Sequence, residues 1–395
     1  MPSQRLAPPS QGWDPKVTGC GKLGPMPRYL MLRTPSANRV YAGESGPLTA
    51  AELEITAPFA ADVAEEDVAG VGYLSFEAPE LDDSQLAAVA RQSAAFALFE
   101  SRPLSAADDQ RANDDPTRSL SAAGDQRASG DEGPRNLSDH LLRPVALPRP
   151  FTLDDDLVSI PKYPGKTNEQ FTQLLVGVTL AAITREPTGP RQILDPLAGR
   201  GTTLSTALLL GHDAFGVEGD AKAFEQMASF YKTYLRRKRI KHTADVRPVR
   251  RDGKAVGKRF DAELTTGDGK RTMSAFTGDT RDSAALFGKK KFDAVIADAP
   301  YGVTHGSTTD VRGVSGKRDR SPAGLLKEAI PVWAGQLMHG GALGLSWNTF
   351  GLSREDLAAL LTSNGLTVQE GGAWEQFAHR VDSSIKRDLI VAVKP

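Results

Sequence analysis

The chain reads as an α/β protein built on a doubly wound parallel sheet. Three observations carry that reading. Residues 191–220, RQILDPLAGRGTTLSTALLLGHDAFGVEGD, run as strand, Gly-rich turn, helix and second strand ending in an acidic tip. Residues 292–297 form a short apolar run that stops at Asp298, as a buried parallel strand does. Further strand–helix alternation follows to the C-terminus, and such alternation places ligands at the carboxyl ends of the strands.

The first segment holds the most chemistry. Ile193 and Leu194 lead into Asp195, then Pro196, Ala198, Gly199 and Gly201, with a helix starting near Thr202. Glycines there let backbone approach a ligand closely. Glu218 closes the second strand, where a carboxylate can accept from both hydroxyls of a ribose. A dinucleotide site asks for G-x-G-x-x-G, but Leu204 occupies the third glycine position. A phosphate loop asks for Lys after the last glycine, and none follows Gly201. Asp195 at the mouth of the turn suits a cationic group, so S-adenosylmethionine, with its ammonium and sulfonium, fits. The bland alternative is a strand–helix turn with no ligand.

The second segment, KFDAVIADAPYGVTHG at residues 291–306, ends its strand in Asp298-Ala299-Pro300-Tyr301 followed by Gly302. DPLAGRGT followed by DAPYG resembles the class I S-adenosylmethionine-dependent amino-methyltransferases, whose tetrapeptide is [DNS]-P-P-[YFW]. The order of motifs and the glycine after Tyr301 are most similar to the tRNA guanosine-10 N2-methyltransferase family and its bacterial relatives, over about residues 160–395. The resemblance implies a Rossmann-like methyltransferase sheet and methyl transfer to an exocyclic amine of a nucleobase. It implies that Asp298 and the Ala299 carbonyl accept the two amine N–H groups, and that Tyr301 stacks on an extruded base. Ala299 departs from the family proline. The carbonyl survives that change, while the ring's hold on φ does not. The alternative for this segment is an ordinary Pro-Tyr-Gly turn.

Other positions follow. Lys166, Thr167 and Asn168 precede a helix and resemble the turn that closes over the methionine end of the cofactor; a simple N-cap is the rival account. Residues 275–279 read as a third strand tipped by Asp279, an adenine contact in this class or else a helix cap. Asp220 reads as an N-cap. A loop after the catalytic turn carries His305, Arg312, Lys317, Arg318 and Arg320, of which the cations suit phosphates. Residues 236–272 are markedly basic and look like a β-ribbon inserted between the second and third core strands, next to the active face.

The whole chain sets bounds. Its 395 residues predict more than one domain. Lys plus Arg number 48 against 49 Asp plus Glu, so nucleic-acid contact must come from local patches. The lone Cys20 excludes an internal disulfide and a cysteine-based metal centre, and fits a cytoplasmic protein. No metal site is expected, and no membrane span or signal peptide. We expect a flexible N-terminus over 1–26, a small α+β domain over 27–100, a low-complexity disordered linker over 101–135 and a methyltransferase domain over 136–395. In the second, YLMLR, NRVYAGES, ELEI and VGYLSFEA read as strands and residues 83–100 as a helix. The linker carries the near-duplicate LSAADDQRA and LSAAGDQRA. The expected substrate is nucleic acid, tRNA ahead of DNA. DNA adenine or cytosine amino-methylation and a non-catalytic cofactor-binding RNA-interaction protein remain alternatives.

Overall fold

The computed structural model describes residues 26–36, 38–103, 140–163, 165–251, 254–300 and 322–395. The expected flexible N-terminus and most of the expected linker lie outside them, as does the cationic loop from His305 to Arg320.

The first sheet is antiparallel. Strands β1 (Arg28–Arg33), β2 (Ala61–Val68), β3 (Val71–Glu77), β4 (Ala95–Pro103) and β5 (His140–Val145) lie in the order β2-β3-β1-β4-β5. With helices Arg39–Thr56 and Asp83–Ala90, the first four strands make a split βαββαβ unit. Two sequence expectations fail here. NRVYAGES and ELEI are helical, not strands, and residues 95–100 are strand, not helix. The reason is burial on two sides. Helix Arg39–Thr56 puts Tyr41, Leu48 and Ala51 into the core of the large sheet and Leu53 into the core of the small one. A helix buried on opposite faces has no single apolar stripe, so its period is hidden. Asn38 caps it, accepting from the Val40 and Tyr41 amides.

The second sheet holds β6 (Gln192–Asp195), β7 (Asp213–Glu218), β8 (His242–Arg251), β9 (Lys254–Thr266), β10 (Gly269–Thr277), β11 (Phe292–Asp298), β12 (Leu337–Asn348), β13 (Thr367–Val368), β14 (His379–Arg380) and β15 (Lys386–Val393). Its order is β13-β15-β12-β11-β6-β7-β10-β9-β8, with β14 also on β15. The run from β12 to β10 is parallel and β15 is antiparallel, giving the doubly wound sheet with its C-terminal antiparallel strands. Successive side chains serve opposite faces. Ile193, Ala294 and Ile296 join the core under helices Glu169–Ala181 and Thr202–Leu209, while Leu194, Val295 and Ala297 join the core under helices Pro322–Gln336 and Arg354–Ser363. The basic stretch forms β8 and β9, which extend the sheet edge from β10. Among the described residues no helix is long and apolar enough to cross a membrane.

Gly344 on β12 admits the helix Glu169–Ala181. A Cβ there would fall 1.8 Å from Thr179 Oγ1, and that hydroxyl is held by its 2.7 Å bond to the Leu175 carbonyl. Gly344→Ala is therefore expected to destabilise the protein by about 3 kcal/mol, the upper range of overpacking. Urea unfolding measures it, and a wild-type midpoint would contradict the contact.

Candidate active site at the carboxyl edge of the large sheet

Five adjacent parallel strands deliver their last residues to one edge. β6 brings Asp195, β7 Glu218, β10 leads to Asp279, β11 brings Asp298 and β12 Ser346. Neighbouring strands lie about 4.8 Å apart, so these side chains share one rim.

The turn after β6 is tight. Gly199 and Gly201 have φ of +53° and +87°, which an L side chain rarely adopts. A Cβ on Gly199 would meet nothing within 4 Å, so the backbone there faces open space. On Gly201 it would press against Met227 and Tyr231. The turn is tied down by Ala198 N donating to the Val217 carbonyl at 2.9 Å. Glu218 holds the turn from β7: its carboxylate accepts from Gly199 N at 2.5 Å and from Asp220 N at 2.6 Å. Leu204 sits directly over Gly216, whose Cβ would come 2.9 Å from Leu204 Cδ1. Close helix–strand packing is thus supplied by a glycine on the strand. Pro196 is buried in the turn, and the Thr202 hydroxyl lies 3.2 Å from Tyr163 Oη. The Arg200 guanidinium stacks 4.3 Å above the Tyr163 ring.

Asp195 is 2 % exposed. Burial pushes its pKa up to about 7; hydrogen bonds from Leu197 N and Thr203 oppose this, and the nearby charges of Glu218 and Asp298 add to it. Burial also raises the pKa of Glu218. Three carboxylates this close attract a cation and repel a phosphate.

Asp298 is held on both oxygens. Thr167 Oγ1 donates to Oδ2 at 2.5 Å, and Ser346 Oγ donates to Oδ1. Ala299 is 1 % exposed, and its N–H donates to the Ser346 carbonyl at 2.8 Å. A proline could not make that bond. The hydrogen bond to β12 therefore restrains the backbone that a ring would otherwise stiffen. Pro300 is exposed, and Tyr301 lies outside the described residues.

The other sequence candidates have these partners. Lys166 Nζ bonds the Val158 carbonyl at 2.6 Å and pairs with Glu169 at 3.2 Å. Asn168 caps helix Glu169–Ala181 through Gln170 N and Phe171 N. Thr167 faces Asp298. Asp279 accepts from Arg281 N and pairs with the Arg281 guanidinium, which holds its pKa down. Asp220 caps helix Ala221–Arg237. Sequence reading missed Ser346. Its signal was a lone hydroxyl near the end of the apolar strand GALGLSW. Among the described residues no group of three His, Cys, Asp or Glu side chains is arranged to hold a metal.

A cleft of about 650 Å³ runs between the small unit and residues 150–173, touching Tyr163, Thr167 and Ser36. It does not touch Gly199, Glu218 or Asp298, so it lies beside the rim.

No protein-family model and no curated protein matches the chain. Among solved structures, TrmN from Thermus thermophilus is 15 % identical, with a TM-score of 0.40, covering 93 % of this chain and 100 % of that one. TehB from Haemophilus influenzae is 12 % identical at a TM-score of 0.32, covering 53 % and 59 %. The T. thermophilus 16S rRNA N2 G1207 methyltransferase RsmC, in complex with AdoMet and guanosine, is 15 % identical at 0.31, covering 59 % and 44 %. The chain thus spans about half the length of the TehB and RsmC structures. At these TM-scores the likenesses carry no argument of their own, and the reading rests on the residues at the rim.

Proposed function

We propose that the protein is an S-adenosylmethionine-dependent methyltransferase acting on an exocyclic amine of a nucleobase, with guanosine N2 in tRNA as the first substrate to test. The observation that carries this reading is the rim itself: an open, left-handed glycine turn bordered by Asp195, Glu218 and Asp298, with no basic group in the phosphate-loop position. A cofactor with an ammonium and a sulfonium suits that charge, and a ribose suits Glu218. The residues present fit the group. Asp195, Pro196, Ala198, Gly199, Gly201, Thr202 and Glu218 would hold it, with Asp279 near its adenine and Lys166, Thr167 and Asn168 on the helix start beside it.

When bound there, the cofactor would supply the substrate amine with a methyl group already activated by sulfonium, so the protein contributes alignment and electrostatics. Asp298 and the Ala299 carbonyl accept the two N–H groups, favour a pyramidal nitrogen and disperse its growing positive charge. The proton is then lost from nitrogen to solvent or carboxylate. Tyr301 would stack on the base. The basic strands β8 and β9 are consistent with an RNA substrate. Some of that charge is already neutralised, with Arg247 and Arg259 on Asp261 and Lys258 on Glu225.

Glu218→Ala is expected to weaken S-adenosylmethionine binding by about 10–100-fold, the worth of hydrogen bonds to a charged group, as read by titration calorimetry. The function itself is tested with methyl-labelled cofactor and separate pools of tRNA, rRNA and genomic DNA, followed by nucleoside mass spectrometry. Label in tRNA as N2-methylguanosine supports the reading. Label in DNA as a methylated amine moves it to the DNA enzymes. Binding without transfer to any pool moves it to a non-catalytic cofactor-binding protein.

A further inference from the structure

We propose that Thr167 and Ser346 are positioning residues that clamp the Asp298 carboxylate, and that the N-terminal unit sets this clamp through Ser36 and Thr34. The inference rests on the amine-facing role of Asp298 given above.

An aspartate side chain turns freely about its last bond, because that torsion is broad. Two hydroxyl donors on different oxygens remove the freedom. Ser346 lies opposite Asp298 in the parallel register of β11 and β12 and donates to Oδ1. Thr167 comes from a remote part of the chain and donates to Oδ2. A carboxylate offers about four acceptor positions, more than the two that these hydroxyls take. The two hydroxyls therefore aim the carboxylate.

Thr167 is itself placed by its neighbours. It precedes Asn168, the N-cap of helix Glu169–Ala181. The Asn168 Oδ1 accepts from the first turn of that helix, while its Nδ2 donates to Ser36 Oγ at 3.0 Å. Two residues on, Gln170 Nε2 donates to the Thr34 carbonyl at 3.2 Å. Ser36 and Thr34 belong to the loop between β1 and helix Arg39–Thr56, within the small unit. The helix start that carries Thr167 is thus bonded on one side to that loop and on the other to the catalytic strand. Displacing the small unit would move Thr167 and loosen one side of the carboxylate. This gives the unit a part in catalysis separate from any grip on substrate.

The test uses the full-length protein, methyl-labelled S-adenosylmethionine and unfractionated tRNA. Thr167→Val keeps the volume and removes the donor, and it should lower kcat by about 10-fold, the worth of one hydrogen bond to a charged group, with any loss of cofactor affinity well below that factor. Thr167→Ser keeps the hydroxyl and should restore most of the turnover. Ser36→Ala should lower kcat about threefold in the wild-type background and have no further effect beside Thr167→Val, because coupled residues are not additive. A wild-type kcat in Thr167→Val overturns the clamp. An equal Ser36→Ala effect in both backgrounds overturns the link to the N-terminal unit. The crystal structure of Thr167→Val needs no substrate: a rotated Asp298 carboxylate supports the clamp, and an unmoved one overturns it. Asp298→Asn, run beside these, separates the two levels. If it keeps full turnover, the catalytic reading of Asp298 fails; if it loses turnover while Thr167→Val keeps the wild-type kcat, only the clamp fails.

Discussion

Asp298→Asn is expected to reduce methyl transfer by about 10²–10³-fold while cofactor binding falls far less, the usual size of losing one preorganised polar partner of a developing charge. The substitution keeps the volume and removes the acceptor charge. In the native rim, Oδ1 and Oδ2 accept from Ser346 and Thr167. An amide in the same place must turn its NH₂ toward one of those hydroxyls, so one existing bond reverses its donor and the other keeps it. The amine of the substrate then meets a neutral carbonyl or an N–H group, and its developing positive charge goes uncompensated. Because that charge exists only as the N–C bond forms, the loss falls on kcat and not on KM. The cofactor still has Glu218, Asp195 and the open backbone at Gly199. Equal losses in cofactor affinity and turnover would place Asp298 under the cofactor instead of under the amine.

Legibility of the site in the sequence followed the range of the forces involved. The β6 turn was readable because its glycines answer a local backbone requirement: φ at Gly199 and Gly201 is positive. β11 was readable because a strand buried on both faces is mostly apolar, as Phe292 and the run from Ala294 to Ala297 are, with Asp293 the one charge before Asp298. The Asp220 cap depends on amides two and three residues away. Contacts over long sequence distances were not readable. Nothing near Thr167 announces a bond to Asp298, and Ser346 reaches it only through the pairing of β12 with β11. Helix Arg39–Thr56 was misread for the same reason. Its apolar residues answer two separate cores, so the alternation in ELEI mimics a strand. Ala299, read as a loss of stiffness, is restrained by a hydrogen bond that only the fold supplies.

Replacing Glu52 by Gln is expected to stabilise the protein by roughly 3 kcal/mol at pH 8 and by almost nothing at pH 4.5. Glu52 lies in helix Arg39–Thr56, is 1 % exposed, and accepts from Ser93 N at 3.0 Å and Ser93 Oγ at 2.5 Å. Burial outweighs those bonds and pushes its pKa from 4.5 up to about 7. The folded chain therefore keeps this proton to about pH 7, whereas the unfolded chain releases it near 4.5. Over that interval the unfolded state binds fewer protons, so stability falls as pH rises and levels off above 7. Asp195, raised from 3.8 to about 7, adds a second decline of the same sign. Two histidines oppose them, His379 buried and His212 half-buried. His212 and His379 are pushed from 6.5 down to about 4, so the unfolded chain takes up their protons first and stability climbs between those values. These rises oppose the declines between pH 4.5 and 6.5, where Glu218, Asp213 and Asp388, also raised by burial, add declines of the same sign as Glu52. Glu52→Gln removes one decline, so through the same window the variant gains stability relative to the wild type as pH rises. The amide oxygen can still accept from Ser93 N while its NH₂ donates to Ser93 Oγ. Urea unfolding of both proteins at pH 4.5, 6 and 8 reads the difference. A constant offset at all three values would mean that Glu52 ionises alike in the folded and unfolded chain, and that the junction between the two units admits water.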